Sequence, residues 1–117
     1  MAISTIDDLS RWVRMLGNGS LLTPALQAER LKWKAIGDNN DEFHYMFGVE
    51  YYATNWYGHN GQIPGYTSFA LYNTDVDATI ALIINTDKPV GKEAPCNALM
   101  RDISKVFFPD HPVTVPR

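Results

Sequence analysis

Gly58-His59-Asn60-Gly61-Gln62-Ile63-Pro64-Gly65-Tyr66-Thr67-Ser68 is the stretch on which the fold of this chain turns. It sets a histidine two residues before a glycine and a second glycine directly after a proline. Two hydroxyl residues then lead into the apolar run 69–72. Gly61 and Gly65 allow conformations or close approaches that a Cβ would forbid. Pro64 fixes one φ angle and removes one N–H donor. The stretch reads as a chain that enters a strand edge, leaves it in a tight loop and re-enters the sheet. A sheet edge beside such a loop leaves backbone N–H groups to face a ligand.

Working outward, residues 67–72 and 78–85 read as two strands joined by the hairpin-length loop 73–77. The second of these, Ala-Thr-Ile-Ala-Leu-Ile-Ile-Asn, is apolar on nearly both faces, which calls for helices on each side of the sheet. Upstream, the aromatic-rich run 43–52 reads as the first strand, 53–55 as a turn, and Trp56-Tyr57 as the lead into the central stretch. Gly37-Asp38-Asn39-Asn40-Asp41 marks a polar loop. Ser4 or Thr5 caps an N-terminal helix with Asp7 and Asp8 in its first turn, where the dipole favours negative charge. Its apolar face is Ile6, Leu9, Val13 and Leu16, and Gly17-Asn18-Gly19 ends it. Thr23 caps a second helix with Pro24 at its first position, running to about Trp33. Pro95 starts the last helix, with Leu99, Ile103, Val106 and Phe107 on one face and Pro109 and Pro112 beyond its end. The expected class is α+β: an antiparallel sheet with flanking helices in a single domain, 1–117.

Composition narrows the function classes. The chain has 117 residues, 45% apolar and 20% charged, which is globular rather than disordered. A net charge of −3 argues against a general binder of nucleic acid or membrane surfaces. No apolar run approaches the roughly 20 residues of a membrane helix. Asp7 and Asp8 precede any apolar stretch, so the N-terminus does not read as a signal peptide. Cys96 is single and forms no internal disulfide. The three histidines, His44, His59 and His111, share no metal spacing, and no metal or cofactor is expected.

Three segments in order resemble the serine β-lactamase and penicillin-binding-protein superfamily. Ser4-Thr5-Ile6-Asp7-Asp8-Leu9 with Trp12 is similar to the family's Ser-Thr-x-x-Asp-Leu-x-x-Trp helix. Gly19-Ser20-Leu21-Leu22-Thr23-Pro24 follows it, as Gly-x-Leu-Leu-Ser/Thr-Pro does in the family. His59-Asn60-Gly61, then Pro64-Gly65-Tyr66-Thr67-Ser68, resembles the third active-site motif in the branch where it is His-x-Gly. Asn60 departs from the usual hydroxyl residue there. Gly48 loosely resembles the glycine of a Tyr-Gly-x-Gly-Trp strand. The resemblance covers the whole chain and implies the C-terminal portion of the β-lactamase/transpeptidase-like fold, in a family whose members are mostly exported.

By that resemblance the family acts by acyl transfer, with a Ser-x-x-Lys nucleophile motif and a Tyr-x-Asn or Ser-x-Asn proton-handling motif. Neither is in this chain. Three residues before Lys32, Lys34, Lys88, Lys92 and Lys105 stand Glu29, Leu31, Asn85, Pro89 and Asp102. An oxyanion hole has nothing to stabilise until a nucleophile attacks. The isolated chain is therefore expected to be inactive, with no catalytic residue of its own. Carried over by motif, His59, Asn60, Gly61 and Gln62 form a substrate-binding and oxyanion wall, with the Gln62 N–H as one donor. Against this, a lone histidine beside a Gly-rich turn is most often a loop residue. Trp12, Trp33 and Trp56 read as packing residues, Cys96 as a half-buried bystander and His111 as solvent-exposed. The implied partner is the N-terminal part of a parent hydrolase, and the isolated chain is expected to form a homo-oligomer. The alternative is a non-catalytic binding or interaction module that reuses the half-fold.

Overall fold

A computed structural model of the protein describes residues 3–32 and 42–115. Thr5 and Thr23 start the two N-terminal helices, each hydroxyl accepting from the backbone N–H three residues on, Asp8 and Leu26. α1 spans Ile6–Asn18 and ends on Gly19, which takes the left-handed conformation that closes a helix cheaply only at glycine. α2, Pro24–Arg30, stops short of the predicted end. Trp33 lies outside the described residues.

Five strands follow: β1 Phe43–Tyr45, β2 Glu50–Tyr52, β3 Trp56–Ile63, β4 Tyr66–Asn73 and β5 Ala78–Ile84. They form an antiparallel meander in the order β1-β2-β3-β4-β5. One expectation changes here. The run 43–52 is two short strands rather than one. Gly48, at φ 68°, reverses the chain between them, and Met46 N–H donates to the Val49 carbonyl. The central stretch enters the sheet, leaves it in a tight loop and re-enters it, as expected. His59 to Ile63 stay paired with β4 throughout, and only Pro64-Gly65 loops out, with Gly65 at φ 82°. The close backbone approach falls at Gly58, where a Cβ would stand 2.0 Å from the Ala70 carbonyl oxygen. At Gly61 it would meet only the Ser68 hydroxyl.

The sheet has a helix on each face, as the two-sided apolar character of 78–85 implies. α1 sets Val13, Leu16 and Gly17 against one face. Gly17 lies so close to Tyr72 that a Cβ would come within 2.7 Å of its ring. α3, Pro95–Phe107, covers the other, where Tyr52, Trp56, Phe69, Leu71 and Ile80 pack with Cys96, Met100 and Val113. This inward stripe corrects the sequence reading: Leu99, Val106 and Phe107 are exposed, while Cys96, Ala98, Met100 and Ser104 are buried. Small residues let the helix sit close to the sheet. The Ser104 hydroxyl is needed inside because it accepts from the Val113 N–H of the returning tail.

Buried Asn73 ties two turns together. Its side chain donates to the Thr54 carbonyl at 2.7 Å and accepts from the N–H groups of Asp75 and Val76. Trp56 is fully buried and its indole N–H donates to the His111 carbonyl at 2.8 Å. His111 is accordingly held against the core, partly buried and 3.8 Å from Asp75, rather than solvent-exposed as expected. Trp12, expected to pack, is 51% exposed on α1.

Candidate active-site edge

β3 changes character along its length because its neighbour is short. β2 pairs only with Trp56 to Gly58, whereas β4 pairs with the whole of β3. From His59 onward one side of β3 is an open edge among the described residues. In an antiparallel strand the N–H and C=O of one residue point the same way, and the direction alternates. Ile63 and Tyr66 close the hairpin, so the odd-numbered residues 59, 61 and 63 bond to β4. Asn60 and Gln62 present their backbone groups outward.

The outward groups of Asn60 are already used. Its N–H donates to Glu50 Oε2 at 3.1 Å. Its carbonyl lies 2.6 Å from His59 Nδ1. A carbonyl can only accept, so Nδ1 carries the proton. In the neutral ring Nε2 is then an acceptor, and the Tyr45 hydroxyl at 3.3 Å donates to it. The Tyr45 and His59 rings meet edge-on, 5.6 Å between centroids. With Asn60 satisfied, the next outward pair is that of Gln62, and no strand stands opposite it among the described residues.

Glu50 is the residue the sequence reading missed. It is buried, yet its Oε2 accepts from the Tyr52 hydroxyl at 2.7 Å and from Asn60, and lies 3.9 Å from His59 Nδ1. Burial raises the Tyr52 pKa well above the tyrosine range, and the neighbouring Glu50 charge raises it further. A single acidic residue in an aromatic strand carries no spacing signal. Only the pairing of Glu50 with Gly58 puts it beside the motif.

The four motif residues share an edge but not a face. Side chains alternate along a strand, so His59 projects to one side of the sheet and Asn60 and Gln62 to the other. His59 keeps 42% of its side chain exposed, and Gln62 is exposed. Cys96 lies apart on the buried face of α3, and burial pushes its thiol pKa up, the reverse of an activated thiol. Among the described residues no group of acidic, histidine or cysteine side chains could hold a metal. Nor is any helix there long and apolar enough to cross a membrane.

A five-stranded antiparallel sheet between helices, with a His-x-Gly strand open along half its edge, defines an α+β protein with an antiparallel sheet layered between helices. The chain belongs to the beta-lactamase family, which it matches over residues 1–105. Among solved structures it is similar to a D-stereospecific amidohydrolase from Streptomyces sp., at 23% identity and a TM-score of 0.69. The match covers 88% of this chain and 29% of that one, and at this identity it speaks for the fold alone. No curated protein matches the chain.

Proposed function

We propose that the chain supplies one wall of the active site of a serine hydrolase that cleaves amide or ester bonds by acyl transfer. The observation that carries this reading is the outer edge of β3. Its His-x-Gly segment sits where β2 has ended, and the Gln62 N–H is the first outward donor past the groups that Glu50 and His59 occupy. A backbone N–H fixed in a sheet is a preorganised donor for the negative charge that develops on an attacked carbonyl oxygen. His59 and Asn60 contact the substrate, and Gly61 keeps a side chain out of its path. The nucleophile and base come from elsewhere in a longer hydrolase, since no Ser-x-x-Lys is present.

The same reading assigns a role to the apolar surface left open. Leu99, Val106 and Phe107 on α3 and Ile83 on β5 are exposed, and β5 is the last strand of the sheet. The rest of the hydrolase covers this surface, and the chain alone pairs with itself. Light scattering tests this second part. A clean monomer at 13.2 kDa would remove it.

Two measurements test the main reading. The 117-residue chain should not turn over a chromogenic cephalosporin or a p-nitrophenyl ester. Turnover that survives His59→Ala, or an acyl adduct on any of its own serines, would overturn the proposal. In a longer protein that carries a Ser-x-x-Lys segment ahead of this chain, His59→Ala should lower kcat/KM. An unchanged kcat/KM there would favour the non-catalytic module instead.

A further inference from the structure

The chain holds two Asn-Gly pairs, Asn18-Gly19 and Asn60-Gly61. Such a pair can modify itself. The glycine nitrogen, once deprotonated, attacks the side-chain carbonyl carbon of the asparagine, and glycine puts no Cβ in the way of that approach. The fold treats the reacting groups of the two pairs differently.

At Asn60-Gly61 they are tied down. Gly61 pairs with Ser68, and its N–H lies on the β4 side of β3, inside the ladder. The backbone of Asn60 is held by Glu50 and His59. Reaction here requires the strand to open first.

At Asn18-Gly19 the nucleophile is loose and the carbonyl is prepared. Asn18 is the last residue of α1 and is exposed, and Gly19 follows it at φ 80°. Just past the ends of α2 and α3, Leu31 and Phe108 donate their N–H groups to the carbonyls of Gln27 and Ser104. The Gly19 N–H makes no comparable bond among the described residues. Asn18 Oδ1 accepts from the Ser20 N–H at 2.9 Å. That oxygen takes the negative charge when the nitrogen attacks, so the Ser20 N–H stands where an oxyanion donor would.

We propose that Asn18 is a site of spontaneous deamidation, and that the fold directs this reaction to Asn18 and away from Asn60. The Gly19 nitrogen gives its proton to hydroxide and bonds to Asn18 Cγ. The Cγ–Nδ2 bond breaks, and the side-chain nitrogen takes a proton from water and leaves as ammonia, which restores the hydroxide. A second water opens the resulting five-membered imide at one of its two carbonyls, giving aspartate or isoaspartate. The new carboxylate sits at the C-terminal end of α1, where the helix dipole disfavours negative charge. None of this requires the chain to be part of a hydrolase.

Peptide mapping by mass spectrometry tests the proposal, on the 117-residue chain held at mildly alkaline pH with the denatured chain as reference. In denaturant the two asparagines should convert at similar rates. In the folded chain Asn18 should keep about that rate, while Asn60 should slow at least about tenfold, because its strand must open before it reacts. Ser20→Pro removes the donor to Oδ1 and keeps the Asn-Gly pair, so it should slow Asn18 and leave Asn60 unchanged. Asn60 converting as fast as Asn18 in the folded chain, Asn18 slowing on folding as much as Asn60, or an Asn18 rate that Ser20→Pro does not change would overturn the proposal.

Discussion

The two halves of β3 are one strand under two regimes. From Trp56 to Gly58 it has a partner on both sides, and Trp56 sits in the core against Phe108 with ring centroids 5.4 Å apart. From His59 to Ile63 it has β4 on one side only, and its side chains reach solvent. The first half holds the sheet together. The second is held by it, and its free backbone groups can be spent on something outside the chain. A strand gains this division when its neighbour stops early, and here Glu50 takes over where β2 ends.

The contrast predicts its own largest effect. Trp56→Ala removes a fully buried side chain and the bond to the His111 carbonyl, and should cost about 3–5 kcal/mol in denaturant unfolding. A loss below about 1 kcal/mol would mean that the core does not rest on this half of β3.

The junction between the halves comes next. Glu50→Ala strands the Asn60 N–H and the Tyr52 hydroxyl, both of which now donate to one carboxylate oxygen. The cost should be about 1–3 kcal/mol. Hydrogen exchange gives the local readout: the Asn60 amide, slow in the parent chain, should exchange at a rate near that of Gln62. If Asn60 already exchanges as fast as Gln62 with Glu50 in place, the carboxylate does not cap the edge.

The same junction sets an alkaline limit. Tyr52 has its pKa raised above the ordinary 10.0 by burial and then by Glu50. Burial also raises Tyr57 and Tyr72. Above pH 10 the unfolded chain gives up these protons and the folded chain keeps them. Stability is therefore full below the unfolded value and falls as pH rises beyond it, by up to about 1.4 kcal/mol per pH unit for Tyr52. Tyr52→Phe should make the alkaline limb shallower. An identical slope in the variant would show that Tyr52 is not protected.

Much of this was legible in the sequence, for reasons that differ by element. Thr5 and Thr23 act within one helical turn, so local pattern was enough to find the caps. The two-sided apolar run 78–85 implied helices on both faces, and α1 and α3 are there. The stripe of α3 was misread because the largest apolar residues were taken to face inward. The sheet admits Cys96, Ala98 and Ser104 instead, a choice made by the distance between layers, which no periodicity records. The motif could be located in the chain, but its geometry could not. That His59 and Gln62 lie at an open edge depends on where β2 stops. The cap on Asn60 depends on Glu50, ten residues away and meaningful only through register.

The smallest expected effect on folding falls on the residue most exposed to the proposed function. Among the described residues His59 lies only at ion-pair distance, 3.9 Å, from Glu50 and makes two hydrogen-bond contacts, to the Tyr45 hydroxyl and the Asn60 carbonyl, both at the open edge. Water can replace the imidazole at each, so His59→Ala should change stability by less than about 0.5 kcal/mol. Tyr45→Phe should likewise be mild, and it isolates one contact: it removes the donor to Nε2 and keeps the ring that packs edge-on against His59. In a hydrolase built on this chain, freeing Nε2 should alter turnover, whereas the stability of the sheet should not move. If His59→Ala instead cost as much as Glu50→Ala, the histidine would belong to the half of β3 that holds the fold. The division between a structural half and a functional half would then fall further along the strand, between His59 and Gln62.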